Sequence, residues 1–192
     1  AREIAKKKLE LAKLRRKLSG KPVGEYHFRN ARGTVALASL FGDHRELIVV
    51  HNMGTGCPYC TAWADGFNGV LPHIQNRAAF VVMSPDSPAA QRKFAQRRGW
   101  KFPMVSTTGT TFRKDMGFVA RNGMPMPGVT VLTRDPQGTI SAATSEMFGP
   151  GDNFCVIYDL FDLLPSGNRN WELQFSYVNG NVRRSVDAPR GE

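Results

Sequence analysis

The chain has 192 residues, of which 41% are hydrophobic and 22% are charged, the composition of an ordinary globular protein with a sizeable core. No apolar run approaches the roughly 18 residues of a membrane span, and no secretory leader is evident, so we expect neither. Three cysteines are too few for a disulfide scaffold, and we therefore expect a cytoplasmic protein.

The net charge of +10 is concentrated at one end of the chain. Residues 1–21 contain nine of the 26 basic residues and two of the 16 acidic ones, which leaves +3 for all the rest. A nucleic-acid-binding domain needs a basic face on its folded body. The charge distribution therefore argues against a nucleic-acid partner.

The basic segment itself predicts a helix over residues 2–18. Ile4, Leu11, Leu14 and Leu18 form a stripe at helical spacing, with Lys7 on the same face. The stripe predicts docking on the domain or on a second subunit, which makes a homodimer an open expectation. We expect the other faces to be solvated, with an anionic partner as the lesser alternative.

The remainder alternates between strand and helix patterns, which predicts a mixed sheet flanked by helices. The helix after the first buried strand contains Gly66 and Pro72, which favour a bend. We divide the chain into a basic helix (1–21), an α/β domain (22–165) and a C-terminal extension (166–192). The predicted elements are a hairpin over 25–41, strands over 46–51, 78–84, 129–133, 139–144 and 171–178, and helices over 58–76, 87–98 and 154–164.

The most informative motif is Cys57-Pro58-Tyr59-Cys60, which follows a buried strand and a glycine-containing turn at the start of a helix. This context is typical of a C-x-x-C redox site. At a helix N-cap the free N–H groups stabilise a thiolate, and proline fits the first turn. We expect Cys57 to be the exposed nucleophile and Cys60 the buried thiol that resolves the mixed disulfide.

Three other interpretations of the two cysteines stay open. They could be inert packing residues, or half of a zinc site with His51 and His73 as further ligands, although zinc needs four ligands. They could also serve a peroxidase, but Val50 and Gly54 occupy the proline and threonine positions of the P-x-x-x-T-x-x-C pattern.

For most of the other candidate residues the sequence indicates a role in the fold rather than in the chemistry. Pro127 precedes a predicted strand and is a candidate for a cis-proline facing the cysteines, with Pro125 as the competing position. Asp65 could relay the proton of Cys60, but an Asp-Gly helix break is favoured. Trp63 is assigned to the core, as is Phe67, and Cys155 is interpreted as an inert buried thiol.

Four runs of sequence resemble a thioredoxin-like domain-of-unknown-function family related to the alkyl hydroperoxide reductase and thiol-specific antioxidant group. The resemblance covers about residues 1–165 and implies a thioredoxin fold and a redox role, without a substrate. The Pro-Tyr pair between the cysteines also matches glutaredoxins. The runs are residues 33–42 (GTVALASLFG), 57–67 (CPYCTAWADGF), 99–103 (GWKFP) and 127–131 (PGVTV).

The sequence therefore predicts a thiol–disulfide oxidoreductase without cofactor or metal. Cys57 and Cys60 would react, supported by Pro58, Tyr59 and Pro127. The expected partners are a disulfide or peroxide substrate and an external thiol reductant. The alternatives are a thiol peroxidase that uses Cys57, and a non-catalytic interaction module.

Overall fold

The structure is a computed structural model that describes residues 2–149, 152–169 and 171–177. The strands are β1 (Lys21–Pro22), β2 (His27–Asn30), β3 (Gly33–Ala36), β4 (Glu46–His51), β5 (Ala79–Ser84), β6 (Met104–Ser106), β7 (Gly128–Arg134) and β8 (Ile140–Met147). The helices are α1 (Arg2–Arg15), α2 (Pro58–Gly69), α3 (Leu71–Arg77), α4 (Pro88–Arg98), α5 (Phe112–Asp115) and α6 (Val156–Phe161), and a 3₁₀ helix covers Leu37–Phe41.

The strands form one eight-stranded mixed sheet in the order β1-β8-β7-β4-β5-β6-β2-β3. The central strands β4, β5 and β6 are parallel, whereas β7, β8, β1, β2 and β3 join by antiparallel pairing. The apolar runs of β4 and β5 suit this centre, because a parallel strand is covered on both faces. The mixed sheet predicted from the sequence is confirmed.

Each face of the sheet carries its own hydrophobic cluster, as the alternation of side chains along β4 requires. Leu47 and Val49 point into the first cluster, which includes Phe112 of α5. Val50 belongs to the second cluster, with Trp63 of α2. Trp63 is thus a core residue, as the sequence predicted, and Phe67 packs against the same cluster.

The helix predicted over 58–76 is two helices, α2 and α3. The chain breaks at Val70, and Pro72 lies in the first turn of α3, where its missing N–H is not needed. The predicted bend is therefore a complete break. The helix predicted over 87–98 forms as α4, in which the Ser87 side chain caps the start by accepting a hydrogen bond from the N–H of Ala90, and the helix ends before Gly99.

The basic helix differs from its prediction in length and in packing. It ends at Arg15 rather than residue 18, and none of its residues is buried. Its apolar stripe is therefore not docked on its own domain. Arg15 forms an ion pair with Glu146 of β8, and β1 pairs with the same strand.

Three further predictions change in detail. The stretch before β7, for which the sequence predicts no helix, contains the short helix α5, and the helix predicted over 154–164 covers only Val156–Phe161. Residues 171–177 contain no strand, and residue 178 lies outside the described residues. The rest of the C-terminal extension beyond 178 lies outside them too. No helix in the described part of the chain is long and apolar enough to cross a membrane.

Candidate functional site

The two cysteines of the CPYC motif lie at the start of α2, just beyond the carboxyl end of β4. Cys57 is the N-cap residue, and its sulfur accepts a hydrogen bond from the backbone N–H of Cys60 at 3.1 Å. Pro58 occupies the first helical position, where it leaves no intrahelical hydrogen bond unmade. The motif therefore lies at a helix N-terminus, as the sequence predicted.

The environment separates the acidities of the two thiols. Cys57 has its pKa lowered from 9.0 to about 7, first by the hydrogen bond from the Cys60 thiol and further by the N–H groups of Cys60 and Tyr59, against the opposing effect of burial. The pKa of Cys60 is raised, because its thiol donates to Cys57 and because it is buried. At neutral pH about half of Cys57 is thiolate while Cys60 keeps its proton.

Cys57 is less accessible than the sequence indicated, whereas Cys60 is buried as predicted. Cys57 is 8% exposed and Cys60 is 3% exposed, so the expectation of an exposed Cys57 is wrong. In the turn in front of the helix, the N–H of Cys57 donates to the carbonyl of Gly54 at 3.1 Å. Tyr59, between the cysteines, is 46% exposed and lies on the side of the motif that faces solvent.

The loop from Asn52 to Cys57 is held by Asp86, which follows β5. The Asp86 carboxylate accepts hydrogen bonds from the N–H of Thr55 at 2.9 Å, from its hydroxyl at 3.3 Å, and from the hydroxyl of Ser84 at 2.9 Å. Gly54 has a positive φ of 117°, and a β-carbon there would lie 3.2 Å from the same carboxylate. The turn thus depends on a glycine packed against a carboxylate.

Arg113 of α5 is a buried cation on the inner side of the site. Its terminal nitrogens donate to the carbonyl of Asn52 at 2.7 Å and to that of Met126 at 2.9 Å. Its Nε has no partner, and no carboxylate among the described residues pairs with it. Burial lowers the pKa of the guanidinium to about 10, so it stays charged at neutral pH, and its charge favours ionisation of Cys60.

Pro127 lies next to this network, but not as a cis-proline. Gly128 pairs with His51 at the end of β4, which brings Pro127 beside the loop that leads to Cys57. No cis peptide bond occurs in the described residues, so neither Pro127 nor the competing candidate Pro125 is a cis-proline, and Pro127 is an ordinary trans loop proline. The carbonyl of Pro127 instead accepts from the N–H of Phe148 at 3.0 Å, which extends the pairing of β7 and β8.

His51 is a buried core residue. Its ring stacks on Phe118 with centroids 3.9 Å apart, and its Nε2 lies 3.0 Å from the hydroxyl of Thr130. Burial lowers its pKa well below 6.5, so the ring is neutral. In the described ranges no group of three His, Cys, Asp or Glu side chains is arranged to hold a metal ion.

Asp65 and Cys155 have structural surroundings. Asp65 lies inside α2 rather than at a break, where it pairs with Arg98 and accepts from the indole N–H of Trp100 at 2.7 Å. The predicted helix break at Asp65 is therefore wrong, and the carboxylate is engaged by Arg98 and Trp100. Cys155 is buried in the second core cluster, and burial raises its pKa, which suits the predicted inert thiol.

Three residues of the site, Asn52, Asp86 and Arg113, were not predicted from the sequence. The first two had a usable signal, because polar residues that follow adjacent parallel strands meet at one edge of the sheet. Arg113 had none, since its helix has only four residues and lies in a stretch without periodicity.

Residues 1–185 match a family described as bacterial protein of unknown function (DUF899). The chain belongs to this family. The resemblance found in the sequence is thereby confirmed, and DUF899 carries no assigned activity. None of the curated proteins matches the chain.

Solved structures similar to this DUF899 protein include several peroxiredoxins. The peroxidoxin BcpB of Mycobacterium tuberculosis has 23% identity and a TM-score of 0.52, with 67% of this chain and 88% of that one covered. A yeast mitochondrial 1-Cys peroxiredoxin has 15% identity and a TM-score of 0.57, with 74% of each chain covered. A mutant PrxQ of Xylella fastidiosa has 14% identity and a TM-score of 0.57, with 67% and 84% covered. These similarities establish the thioredoxin-like fold.

Proposed function

We propose that this DUF899 protein is a thiol–disulfide oxidoreductase whose reactive pair is Cys57 and Cys60. The observation that supports the proposal is the position of the Cys57 sulfur, which receives hydrogen bonds from both the thiol and the N–H of Cys60 at the tip of α2. These donors stabilise a thiolate, and the thiolate is the nucleophile in disulfide exchange.

The reaction has two exchange steps. The Cys57 thiolate attacks one sulfur of the substrate disulfide, which forms a mixed disulfide and releases the other sulfur as a thiolate. Cys60 then loses its proton and attacks the Cys57 sulfur, forming the Cys57–Cys60 disulfide and releasing the second substrate thiolate. Two electrons pass from the dithiol to the substrate, and an external thiol reductant returns two electrons to the protein.

The surrounding residues have supporting roles in this scheme. Arg113 supplies the positive charge that favours the Cys60 thiolate in the second step. Pro58 and Tyr59 shape the solvent side of the motif, and Pro127 positions the neighbouring loop. We also propose that the protein is cytoplasmic. We propose that its chain divides into a basic helix (1–21), an α/β domain (22–165) and a C-terminal extension (166–192).

A thiol peroxidase is the second candidate, because the similar folds belong to peroxiredoxins and because a small peroxide suits the low exposure of Cys57. Here the Cys57 thiolate attacks one peroxide oxygen, which forms a sulfenic acid and releases water or an alcohol. Cys60 then condenses with the sulfenic acid and releases water. The missing P-x-x-x-T-x-x-C pattern places this candidate second.

Reduction of insulin disulfides by the full chain, with dithiothreitol as reductant, tests the first candidate. Cys57→Ser should abolish the activity, Cys60→Ser should accumulate a mixed disulfide with the substrate, and Cys155→Ser is the matched control that retains activity. Oxidation of Cys57 by micromolar peroxide much faster than a free thiol would favour the peroxidase. Redox assays in which neither Cys57→Ser nor Cys60→Ser differs from the parent would indicate a non-catalytic module.

A further inference from the structure

The apolar stripe of α1 is uncovered. Ile4, Leu11 and Leu14 are between 43% and 60% exposed, and no residue of the helix is buried. The segment is tied to the domain near its C-terminal end, by the ion pair of Arg15 with Glu146 and by the pairing of β1 with β8. A helix with an apolar stripe is stabilised mostly by packing that stripe against another surface.

A second uncovered apolar face begins at α6. Val156, Leu160, Leu163 and Leu164 recur at helical spacing and are between 50% and 80% exposed. On the other side of the same helix, Ile157 packs against the second core cluster. The segment is therefore anchored to the domain on one side and presents leucines on the other, an arrangement that marks an interaction surface.

The two faces have opposite charges. Residues 152–164 contain three aspartates and no basic residue, whereas residues 1–21 contain nine basic and two acidic residues. Asp159 and Asp162 are exposed beside Leu160 and Leu163. Apolar stripes bordered by opposite charges are the arrangement by which two helices select each other.

We propose that α1 of one copy of this chain packs on the exposed face of α6 of a second copy. Within a single chain both faces are exposed, and β1 ties the end of α1 to the strand β8. In a two-fold arrangement each copy supplies one α1 and one α6 face, so the contact forms twice. The proposal does not depend on the redox chemistry.

The interface between the two copies would lie close to α2, the helix that begins within the CPYC motif. The core side of α6 shares its cluster with Trp63 and Ala64 of α2. The second copy's α1 would therefore cover the outside of the layer that supports the reactive cysteines. A large substrate would meet the second copy on this side of the site.

Light scattering after size-exclusion chromatography of the full reduced chain tests the proposal over a concentration series. The parent should be a dimer, and Leu14→Asp or Leu160→Asp should each raise its dissociation constant at least about 100-fold, because each removes an apolar contact twice. Leu9→Asp is the matched control, since Leu9 is 65% exposed but lies on the opposite side of α1. It should leave the dimer unchanged.

Charge exchange tests the orientation. The pair Asp159→Lys and Asp162→Lys should weaken the dimer, and adding Lys7→Glu and Lys8→Glu to the same chain should restore it. A monomer up to about 100 µM, where micromolar dimers form, would overturn the proposal. A dimer whose dissociation constant is unchanged by Leu14→Asp and Leu160→Asp would also overturn the proposal. So would a monomer in which α1 packs on α6 of the same chain. A far-UV circular dichroism spectrum identical to that of the parent shows that the fold of each variant is intact, since loss of the dimer by itself lowers the thermal unfolding temperature.

Discussion

Arg113 donates a hydrogen bond of 2.7 Å to the backbone carbonyl of Asn52, whose own side-chain amide approaches the carbonyl of Cys60 at 3.4 Å. The guanidinium is thus fixed near Cys60 by main-chain acceptors, which do not neutralise it. A buried charge without a counter-ion is costly unless an anion forms beside it. In the proposed reaction that anion is the thiolate of Cys60, which appears only in the second exchange step.

We therefore expect Arg113→Met to slow the second step. Loss of the positive charge makes Cys60 harder to deprotonate, so the mixed disulfide on Cys57 should resolve at least about tenfold more slowly, the equivalent of one pKa unit. The measurement is rapid acid quench and mass spectrometry of the mixed disulfide. Alkylation of Cys57 should change little, because Arg113 is not among the causes of its lowered pKa.

Arg113→Lys is the matched control, since it keeps the charge and loses the two-pronged contact. It should resolve the mixed disulfide faster than Arg113→Met. Equal rates in the two variants would show that the guanidinium acts through its contacts and not through its charge.

The reactivity of Cys57 should follow its pKa of about 7. The alkylation rate of reduced protein should rise with pH as the thiolate forms, pass its midpoint near pH 7, and level off above about pH 8. Cys60→Ala removes the strongest donor, so the midpoint should move towards 9.0, whereas Cys60→Ser keeps a hydroxyl donor and should move it less. An unshifted midpoint in Cys60→Ala would assign the lowered pKa to the helix terminus alone.

The sequence predicted the central strands and the cysteine pair because their signals are local. The apolar run of β4 and the Cys57-Pro58 start of α2 are visible within a few residues. The low exposure of Cys57 was not visible, and neither was the turn in which its N–H donates to the carbonyl of Gly54. Residue type alone does not encode that turn.

Contacts between distant segments account for the other differences. Asp65 looked like a helix break beside Gly66, but Arg98 and Trp100, more than 30 positions away, hold it inside α2. A single sequence does not show such partners, so a favourable long-range contact overrode the local preference. Arg113 was missed for the same reason, since its partners Asn52 and Met126 lie in loops 61 and 13 positions away.

Asp86 should stabilise both the fold and the reactivity of Cys57. Asp86→Ala leaves the N–H and hydroxyl of Thr55 without their acceptor, so we expect a loss of about 1–3 kcal/mol in the free energy of unfolding. The relaxed turn should also raise the pKa of Cys57, measured by alkylation against pH. Asp43→Ala, an exposed carboxylate ahead of β4, is the control and should change neither quantity.

The close approach of β7 to the core should make Gly128 intolerant of any side chain. A β-carbon there would overlap the ring of Phe118 and the carbonyl oxygen of Glu146. Phe118 cannot retreat easily, because it is 1% exposed and stacks on the buried ring of His51. Gly128→Ala should therefore lower the free energy of unfolding by about 1–3 kcal/mol, measured by denaturant titration.

Gly24→Ala is the matched control for this substitution, since a β-carbon at Gly24 meets nothing within 4 Å. It should leave the midpoint of unfolding unchanged or raise it slightly, because alanine has fewer conformations to lose on folding. Equal stability of Gly128→Ala and Gly24→Ala would mean that Phe118 and His51 can move apart. The end of β4, and with it the loop that leads to Cys57, would then be held less tightly than the packing of Phe118 on His51 implies.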